Sequence, residues 1–357
     1  MSEVYLRRAL QLAERGLFTT DPNPRVGCVI VKDGEVRGEG WHQRAGEPHA
    51  EVFALREAGE CARGADAFVT LEPCSHSGRT PPCADALIAA GVARVWCCGE
   101  DPSPKVAGQG IARLRAAGIE VSTGALADEA QALNVGFFSR FQRGRPYVRL
   151  KMAMSLDGRT AAASDERRWI SGESSRADVQ YWRARSSAVL TGSGTVKRDD
   201  PQLNVRLEYG AWVRQPLRVV LDTDLNCDWN AKVFRDGGAL VFAADDAKSA
   251  PSPERGAVRR LARSPLGLDL HAVCRELAAL EVNELLLECG ARLAGGFLKE
   301  DLVDEMILYV APHLLGDDAA PLAAVNAAAL AGGGAKFDFQ EARRIGEDVR
   351  LTLTKKH

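Results

Sequence analysis

The residues of this 357-residue chain with the most to offer chemically stand in two short segments, Pro48-His49-Ala50-Glu51 and Glu72-Pro73-Cys74, followed by Cys83. One imidazole and two thiolates are a suitable ligand set for tetrahedral zinc, with the fourth position open to water. Two thiolates offset the ion's charge, yet zinc still lowers the pKa of such a water toward about 7. His49 and Cys83 open predicted helices at 49–59 and 83–90, and a helix N-terminus favours thiolate and other negative charge. Glu51, two residues past the histidine, is placed to take a proton from that water and return it to a leaving amine. His49, Cys74 and Cys83 are therefore the candidate metal ligands and Glu51 the candidate acid/base. The competing reading is a closed structural site, for which His76 is an available fourth ligand.

The surrounding pattern is α/β. Residues 3–16 have the spacing of an amphipathic helix. An apolar strand at 26–31 turns through Lys32-Asp33-Gly34 into a second strand near 35–41. Strands at 67–71, 93–98 and 119–123 alternate with helices at 49–59, 83–90 and 108–117, which predicts a largely parallel sheet covered on both faces. The basic stretch 139–147, SRFQRGRPY, interrupts the periodicity. We read it as a solvated linker and place the boundary between domains of residues 1–145 and 146–357 there. Strands are then predicted at 147–155, 187–190, 217–221, 239–243, 284–288 and 305–312. Helices are predicted at 172–185, 271–279 and 293–299. The Ala- and Gly-rich stretch 319–335 is expected to be a short helix plus loop.

Composition narrows the function classes. Lys and Arg total 46 against 48 Asp and Glu, and the two halves hold 17 basic with 18 acidic and 29 with 30. Phosphate contacts dominate nucleic-acid affinity, so the lack of a basic excess disfavours a nucleic-acid partner. No run approaches the roughly 18 to 20 apolar residues of a membrane span, and the N-terminus lacks the apolar core of a signal peptide. A cytoplasmic protein is expected. In a reducing compartment the other seven cysteines, at 28, 61, 97, 98, 227, 274 and 289, are assigned to packing.

An HxE followed by a PC and a second Cys is the arrangement of zinc deaminases, which attack an amidine-like ring carbon. Nucleobase deaminases have two residues between the cysteines, whereas eight intervene here (SHSGRTPP, 75–82). This expanded segment resembles the riboflavin-pathway deaminases. The resemblance extends through Asp21-Pro22-Asn23-Pro24, Gly40-Trp41-His42 and Asp101-Pro102, and it implies a cytidine-deaminase-like α/β/α domain. It also implies hydrolytic deamination of a diaminopyrimidinone ribotide. Asn23 and His42 are placed near the ring, and His76, Arg79 and Thr80 offer contacts to ring or phosphate. Asp101 and Ser103 lie in a Pro-bracketed turn after a strand, where α/β ligand sites gather. Each of these has a plainer reading as a satisfied loop residue.

The second half lacks the GxGxxG dinucleotide fingerprint. It carries Glu288-Cys289-Gly290-Ala291-Arg292-Leu293-Ala294-Gly295-Gly296 after a predicted strand, and Thr191-Gly192-Ser193-Gly194-Thr195 after another. Glycines at a strand-to-helix turn let backbone amides approach phosphate. With Lys151 and Ser155-Leu156-Asp157-Gly158, these segments resemble the pyrimidine reductases fused to such deaminases in bacteria, a fold similar to dihydrofolate reductase. The resemblance implies NADPH and reduction of ribosyl to ribityl. Lys151 and Asp199 are the candidates for polarising and protonating the reacting carbon's heteroatom. Glu288 is the candidate for holding sugar hydroxyls, with a strand-end cap as its plainer reading. Arg183 and Arg206 are implied toward the substrate phosphate, with an exposed helix face as the alternative for Arg183. Arg167 and Leu203 complete the implied substrate contacts. Ala153, Trp169, Thr195, Asp199 and residues Gly290 to Gly296 are the implied cofactor contacts. Relatives commonly carry other residues at Arg167, Arg168, Ala291 and Arg292.

The leading expectation is thus a two-step enzyme acting on phosphorylated pyrimidines, and homo-oligomerisation through the reductase domain is also expected. The alternative is a nucleobase or tRNA deaminase fused to a ligand-sensing module, but two-residue Cys spacing and a basic groove are both missing. Chelation separates a catalytic zinc from a structural one: turnover should be lost while circular dichroism stays native, whereas a structural site would unfold.

Overall fold

A computed structural model describes residues 2–75, 82–161, 169–206, 213–248, 254–265, 267–326 and 336–356. The chain divides into two compact units, Met1–Gly144 and Arg145–His357. The first contains α1 (Ser2–Glu14), β1 (Gly27–Lys32), β2 (Glu35–Trp41), α2 (Ala50–Ala58), β3 (Asp66–Val69), α3 (Cys83–Ala90), β4 (Arg94–Cys97), α4 (Gln109–Ala116), β5 (Glu120–Thr123), α5 (Ala127–Leu133) and α6 (Val135–Arg143). Its sheet runs β2-β1-β3-β4-β5. Only β3, β4 and β5 are mutually parallel, because β1 is antiparallel to both neighbours. The expectation of a largely parallel sheet is corrected to that extent: a hairpin needs no crossover helix, and its first strand reverses the pairing. One face packs with α2 and α3 through Ala54, Ala58, Val69, Leu87 and Val95. The other packs with α1 through Leu6, Ala9, Leu12, Val29 and Phe68.

The second unit contains β6 (Tyr147–Ser155), β7 (Arg159–Ala161), α7 (Glu173–Arg185), β8 (Ala188–Gly192), α8 (Ser193–Asp199), β9 (Leu217–Leu221), β10 (Ala239–Ala244), β11 (Gly256–Leu261), β12 (Arg263–Ser264), β13 (Gly267–Leu268), α9 (Leu270–Ala279), β14 (Glu284–Glu288), α10 (Ala291–Lys299), β15 (Glu305–Ala311), β16 (Ala320–Pro321), β17 (Phe337–Ile345) and β18 (Asp348–Lys355). The main sheet, among the described residues, is ordered β11-β10-β9-β8-β14-β6-β15-β18-β17. The strands from β11 to β15 are parallel, and β18 and β17 close one edge as an antiparallel hairpin. Strand order reverses around β8, β14 and β6, so their carboxyl ends form the crevice where α/β folds bind ligands. Alternation sets the two faces: Leu150, Leu285 and Leu287 pack with α9 and α10, while Leu286, Ile307 and Tyr309 pack with α7 and α8.

Two sequence expectations are overturned, and a third falls largely outside the described residues. The stretch 139–147 is no linker, since α6 runs to Arg143 and β6 begins at Tyr147. Phe137 and Phe141 meet edge to face at helical spacing, with Arg140 lying 4.6 Å over the Phe141 ring, so the basic residues sit on an amphipathic helix. Arg145 is likewise held, by two 2.7 Å hydrogen bonds to Asp304. In the stretch 319–335, the described residues form no helix but the short strand β16, paired with β7; 327–335 lie outside the described residues. Cys61 is exposed, unlike Cys28, Cys97, Cys98, Cys227 and Cys274, which are buried as packing residues.

At the base of the second sheet Arg149 is buried between Glu284 and Glu305, and Arg185 also binds Glu284. A buried charge whose partner is removed is strongly destabilising. Arg149→Ala should therefore destabilise the second unit by about 3–5 kcal/mol in denaturant titration, more than Arg259→Ala at the half-exposed pair with Glu276.

Candidate active sites

Helix α2 begins immediately after His49, whose extended backbone (φ −78°, ψ 169°) turns its ring inward, and α3 begins at Cys83. The ligand atoms of His49, Cys74 and Cys83 lie within 4.8 Å of one another. His49 Nδ1 is 3.6 Å from Cys74 Sγ and 3.3 Å from Cys83 Sγ. With zinc bonds of roughly 2.0 Å to nitrogen and 2.3 Å to sulfur, tetrahedral angles put such atoms about 3.5 Å apart. The three residues fit the ion. Hydrogen bonds from the Cys83 side chain and then from His49 and the Cys83 N–H pull the Cys74 thiol down to about 4, and the same Cys74 contact with burial pushes the Cys83 thiol up. Glu51 is buried one turn into α2, and its Oε2 has no partner among the described residues. Burial pushes this carboxyl up, against the pull of His49. A buried carboxyl oxygen without a partner is costly, and a ligand beside the His49, Cys74 and Cys83 cluster would supply the missing partner.

His42 and Asn23 stand beside the metal ligands. The His42 ring meets His49 edge-on at 5.2 Å. Burial pulls the His42 imidazole down to about 4, so the ring is neutral. Its Nδ1–H donates to the Pro48 carbonyl at 3.1 Å, and its Nε2 accepts from the Asn23 amide at 3.1 Å. The Asn23 carbonyl oxygen remains the end that can turn toward a ring. Asp101 and Ser103 are both buried, and the Asp101 carboxylate accepts the Ser103 N–H at 2.7 Å. Burial pushes the Asp101 carboxyl up to about 6. The structure thus brings His49, Glu51, Cys74, Cys83, His42 and Asn23 together. His76, Arg79 and Thr80 lie outside the described residues.

Tight packing sets these positions. A side chain at Gly40 on β2 would come within 2.2 Å of the Ala50 carbonyl, so only glycine lets the first turn of α2 lie flat on the sheet. Sequence reasoning passed over Glu72, which is buried and accepts four backbone N–H groups from Asp101, Gly108, Gly110 and Ile111. The one signal was an acidic residue at the end of an apolar strand.

In the second unit, Glu288 at the carboxyl end of β14 is the register partner of Lys151 midway along the adjacent parallel strand β6. Their side chains share the face covered by α7, from which Arg183 reaches across to Glu288 with bonds of 2.6 and 2.9 Å. Arg183 also donates to the Asn204 carbonyl at 3.1 Å. The exposed-helix-face alternative for Arg183 is overturned, because the residue is buried. Burial opposes charge on Glu288, but Arg183, Lys151 and Arg206 outweigh it and hold the carboxyl below its ordinary value. Burial pulls the Lys151 ammonium down, opposed by Glu288, and Lys151 Nζ lies 5.7 Å from the Tyr309 ring centre.

Around this pair, α8 and α10 begin side by side. A Cβ on Gly290 would lie 3.8 Å from Thr195 Oγ1, and one on Gly192 would lie 3.3 Å from Leu293. The first N–H groups of a helix have no intrahelical partners, so Ala291, Arg292 and Leu293 can offer theirs to a phosphate. Ala294 N–H instead bonds the Gly290 carbonyl, and Gly295 is buried with no room against Ala324. Ala294 and Gly295 are therefore packing positions, and Gly296 faces Leu270. Trp169 exposes 78% of its surface, with Arg176 stacked 5.1 Å over it; a ring left so bare is one a planar ligand can cover. Ala153 packs half-buried on β6. The Leu203 side chain is buried, so only its backbone, in left-handed conformation at φ 56°, can face a ligand. Asp199 ends α8 in an exposed position, and Arg206 is exposed with its N–H bonded to Gln180. Arg167 and Arg168 lie outside the described residues.

Residues 1–99 match the cytidine and deoxycytidylate deaminase zinc-binding region, and residues 146–351 match the RibD C-terminal domain. Fold and site define a zinc-dependent deaminase fused to a reductase, with zinc and NADPH as its cofactors. The chain is 50% identical to the riboflavin biosynthesis protein RibD of Escherichia coli K12, over 98% of each. It is 45% identical to RibD of Haemophilus influenzae, over 99% of this chain and 97% of that one. A solved structure of Acinetobacter baumannii RibD covers 100% of this chain and 99% of its own at 44% identity and a TM-score of 0.92. A Thermotoga maritima diaminohydroxyphosphoribosylaminopyrimidine deaminase/5-amino-6-(5-phosphoribosylamino)uracil reductase covers 99% of both at 32% identity and 0.88. The chain belongs to the RibD family and is a bifunctional deaminase and reductase of riboflavin biosynthesis. No described helix is long and apolar enough to cross a membrane.

Metal analysis should find one zinc per chain, lost on Cys83→Ala and retained on Cys28→Ala, since Cys28 only packs in the first core.

Proposed function

We propose that the first unit replaces the ring amine of the 2,5-diamino-6-ribosylamino-4(3H)-pyrimidinone 5′-phosphate with oxygen, releasing ammonia. The second unit then reduces the ribosyl chain of the product to ribityl. The observation that carries the first step is the partnerless, buried Glu51 oxygen one turn from three residues whose spacing suits zinc. Zinc held by His49, Cys74 and Cys83 supplies activation of water for attack on the amine-bearing carbon. Glu51 takes the proton from water and delivers it to the departing amine, so its raised affinity for protons suits both halves of the exchange. Asn23, with its amide oriented by neutral His42, accepts from the ring, and Asp101 and Ser103 hold the other end of the substrate. His76 and Arg79 are assigned to ring or phosphate on the family resemblance alone.

In the second unit NADPH supplies the hydride. Glu288, held by Arg183, accepts from sugar hydroxyls, and Lys151 donates the proton to the heteroatom of the opened sugar. A partly desolvated lysine is a better acid than an exposed one, which supports that role. Arg183, Arg206 and the Leu203 backbone serve the substrate phosphate, and Arg167 is assigned to it on the family resemblance alone. Ala153, Trp169, Thr195, Asp199, Gly290 and the N–H groups of Ala291 to Leu293 hold the cofactor. Asp199 is the second candidate for the proton, and its exposure makes Lys151 the stronger one. The enzyme works in the cytoplasm on phosphorylated pyrimidines and as a homo-oligomer through the reductase unit.

Incubation with the ribotide, with and without NADPH, and mass measurement of the products tests both steps at once. Glu51→Gln should keep zinc and slow ammonia release by about 10²–10⁴, while NADPH oxidation on supplied deaminated product continues. Lys151→Met should give the reverse pattern. Normal deamination by Glu51→Gln would overturn the acid/base assignment.

A further inference from the structure

Glu72 stands two residues before Cys74 and is buried, and its carboxylate is taken up by backbone N–H groups of the segment that follows β4. Its Oε2 accepts the N–H of Asp101 at 3.1 Å and of Gly108 at 2.9 Å. Its Oε1 accepts the N–H of Gly110 at 2.9 Å and of Ile111 at 3.1 Å, in the first turn of α4. Four donors on one buried carboxylate make a pin between the strand that leads to Cys74 and the loop that carries Asp101 and Ser103. Further contacts tighten the same junction. The Glu72 N–H donates to the Gly99 carbonyl at 3.0 Å. A side chain at Gly110 would lie 1.9 Å from the Pro73 carbonyl, so α4 abuts the metal-ligand segment with no slack. Arg113, one turn into α4, donates to the Ser75 carbonyl at 3.1 Å and pairs with Asp85 of α3 at 2.6 Å.

We infer that Glu72 is a positioning residue of the deaminase, setting the distance between the metal ligands and the Asp101–Ser103 substrate loop. The chemistry is specific to a carboxylate. A glutamine in its place would turn one acceptor into an N–H₂ group facing two N–H donors, so half of the pin becomes repulsive. An aspartate would keep the charge but fall short by one methylene. The effect passes through Asp101 and Ser103, so the inference rests on the reading of those residues as substrate contacts.

The test uses the full chain, the diaminopyrimidinone ribotide as substrate, and the reductase reaction on supplied deaminated product as the internal control. Glu72→Gln should raise the deaminase KM more than tenfold, with one zinc per chain and reductase kinetics unchanged. Glu72→Asp, which keeps the buried charge, should raise KM less and serves if Glu72→Gln does not accumulate. A merely structural role would lower the melting temperature without moving KM at temperatures where the variant is folded. Asp101→Asn should raise KM by itself, and adding Glu72→Gln to it should raise KM little further, because both act on one contact. A Glu72 variant with KM within twofold of the parent, or fully multiplicative effects in the double variant, would overturn the positioning role. Asp101→Asn with unchanged KM would overturn the substrate-loop reading and this inference with it.

Discussion

Charge that has left water must be matched within hydrogen-bonding distance, and both halves of this molecule are organised around that demand. At the first site two sulfurs and an imidazole nitrogen crowd within 4.8 Å. Two thiolates held this close would repel each other, and a cation bound between them would relieve that repulsion, so the cluster suits a metal ion. The surroundings fit that arrangement: α3 presents the Cys83 N–H to Cys74, α2 lies flat on Gly40 to bring in His49 and Glu51, and neutral His42 meets the His49 ring edge-on. In the second unit the same demand is met without a metal. Arg183 and Glu288 match each other under α7, and Lys151 stands next to them, neither fully paired nor in water.

The two sites differ in what their buried groups are for. Arg149 between Glu284 and Glu305 is closed on itself at the base of the sheet, so its charges stabilise and take no part in chemistry. Glu51 keeps a buried oxygen with no hydrogen-bond partner among the described residues, and burial opposes the charge on Lys151. Incomplete satisfaction costs stability, and it persists where a ligand completes it.

Much of the first site was legible along the chain. Ligand types and the acid/base carboxylate stood in short segments, and glycine at positions 59 and 91 ended the two helices that carry them. Many of the strand and helix positions of both units followed from periodicity, though α5, α6, α8 and β11 did not. What failed was tied to context. The run 139–147 looked like a linker because its arginines drew attention from Phe137 and Phe141, which complete a helical stripe. The hairpin β17–β18 left little trace, because β17 is exposed along nearly its whole length and so has no apolar alternation to detect.

Local spacing therefore pointed to the candidate metal ligands, the candidate proton carrier and most of the elements, because short motifs and periodicity carry the residue types and repeats on which these depend. Tertiary structure alone decided the pairings across long stretches of chain: Arg183 with Glu288, Arg145 with Asp304, and Glu72 with the loop that begins at Asp101. A buried charge accepts any partner of suitable sign and reach, and the sequence holds 46 basic and 48 acidic residues. Which of them meet is fixed only by the order in which strands enter a sheet and by the helices packed over it.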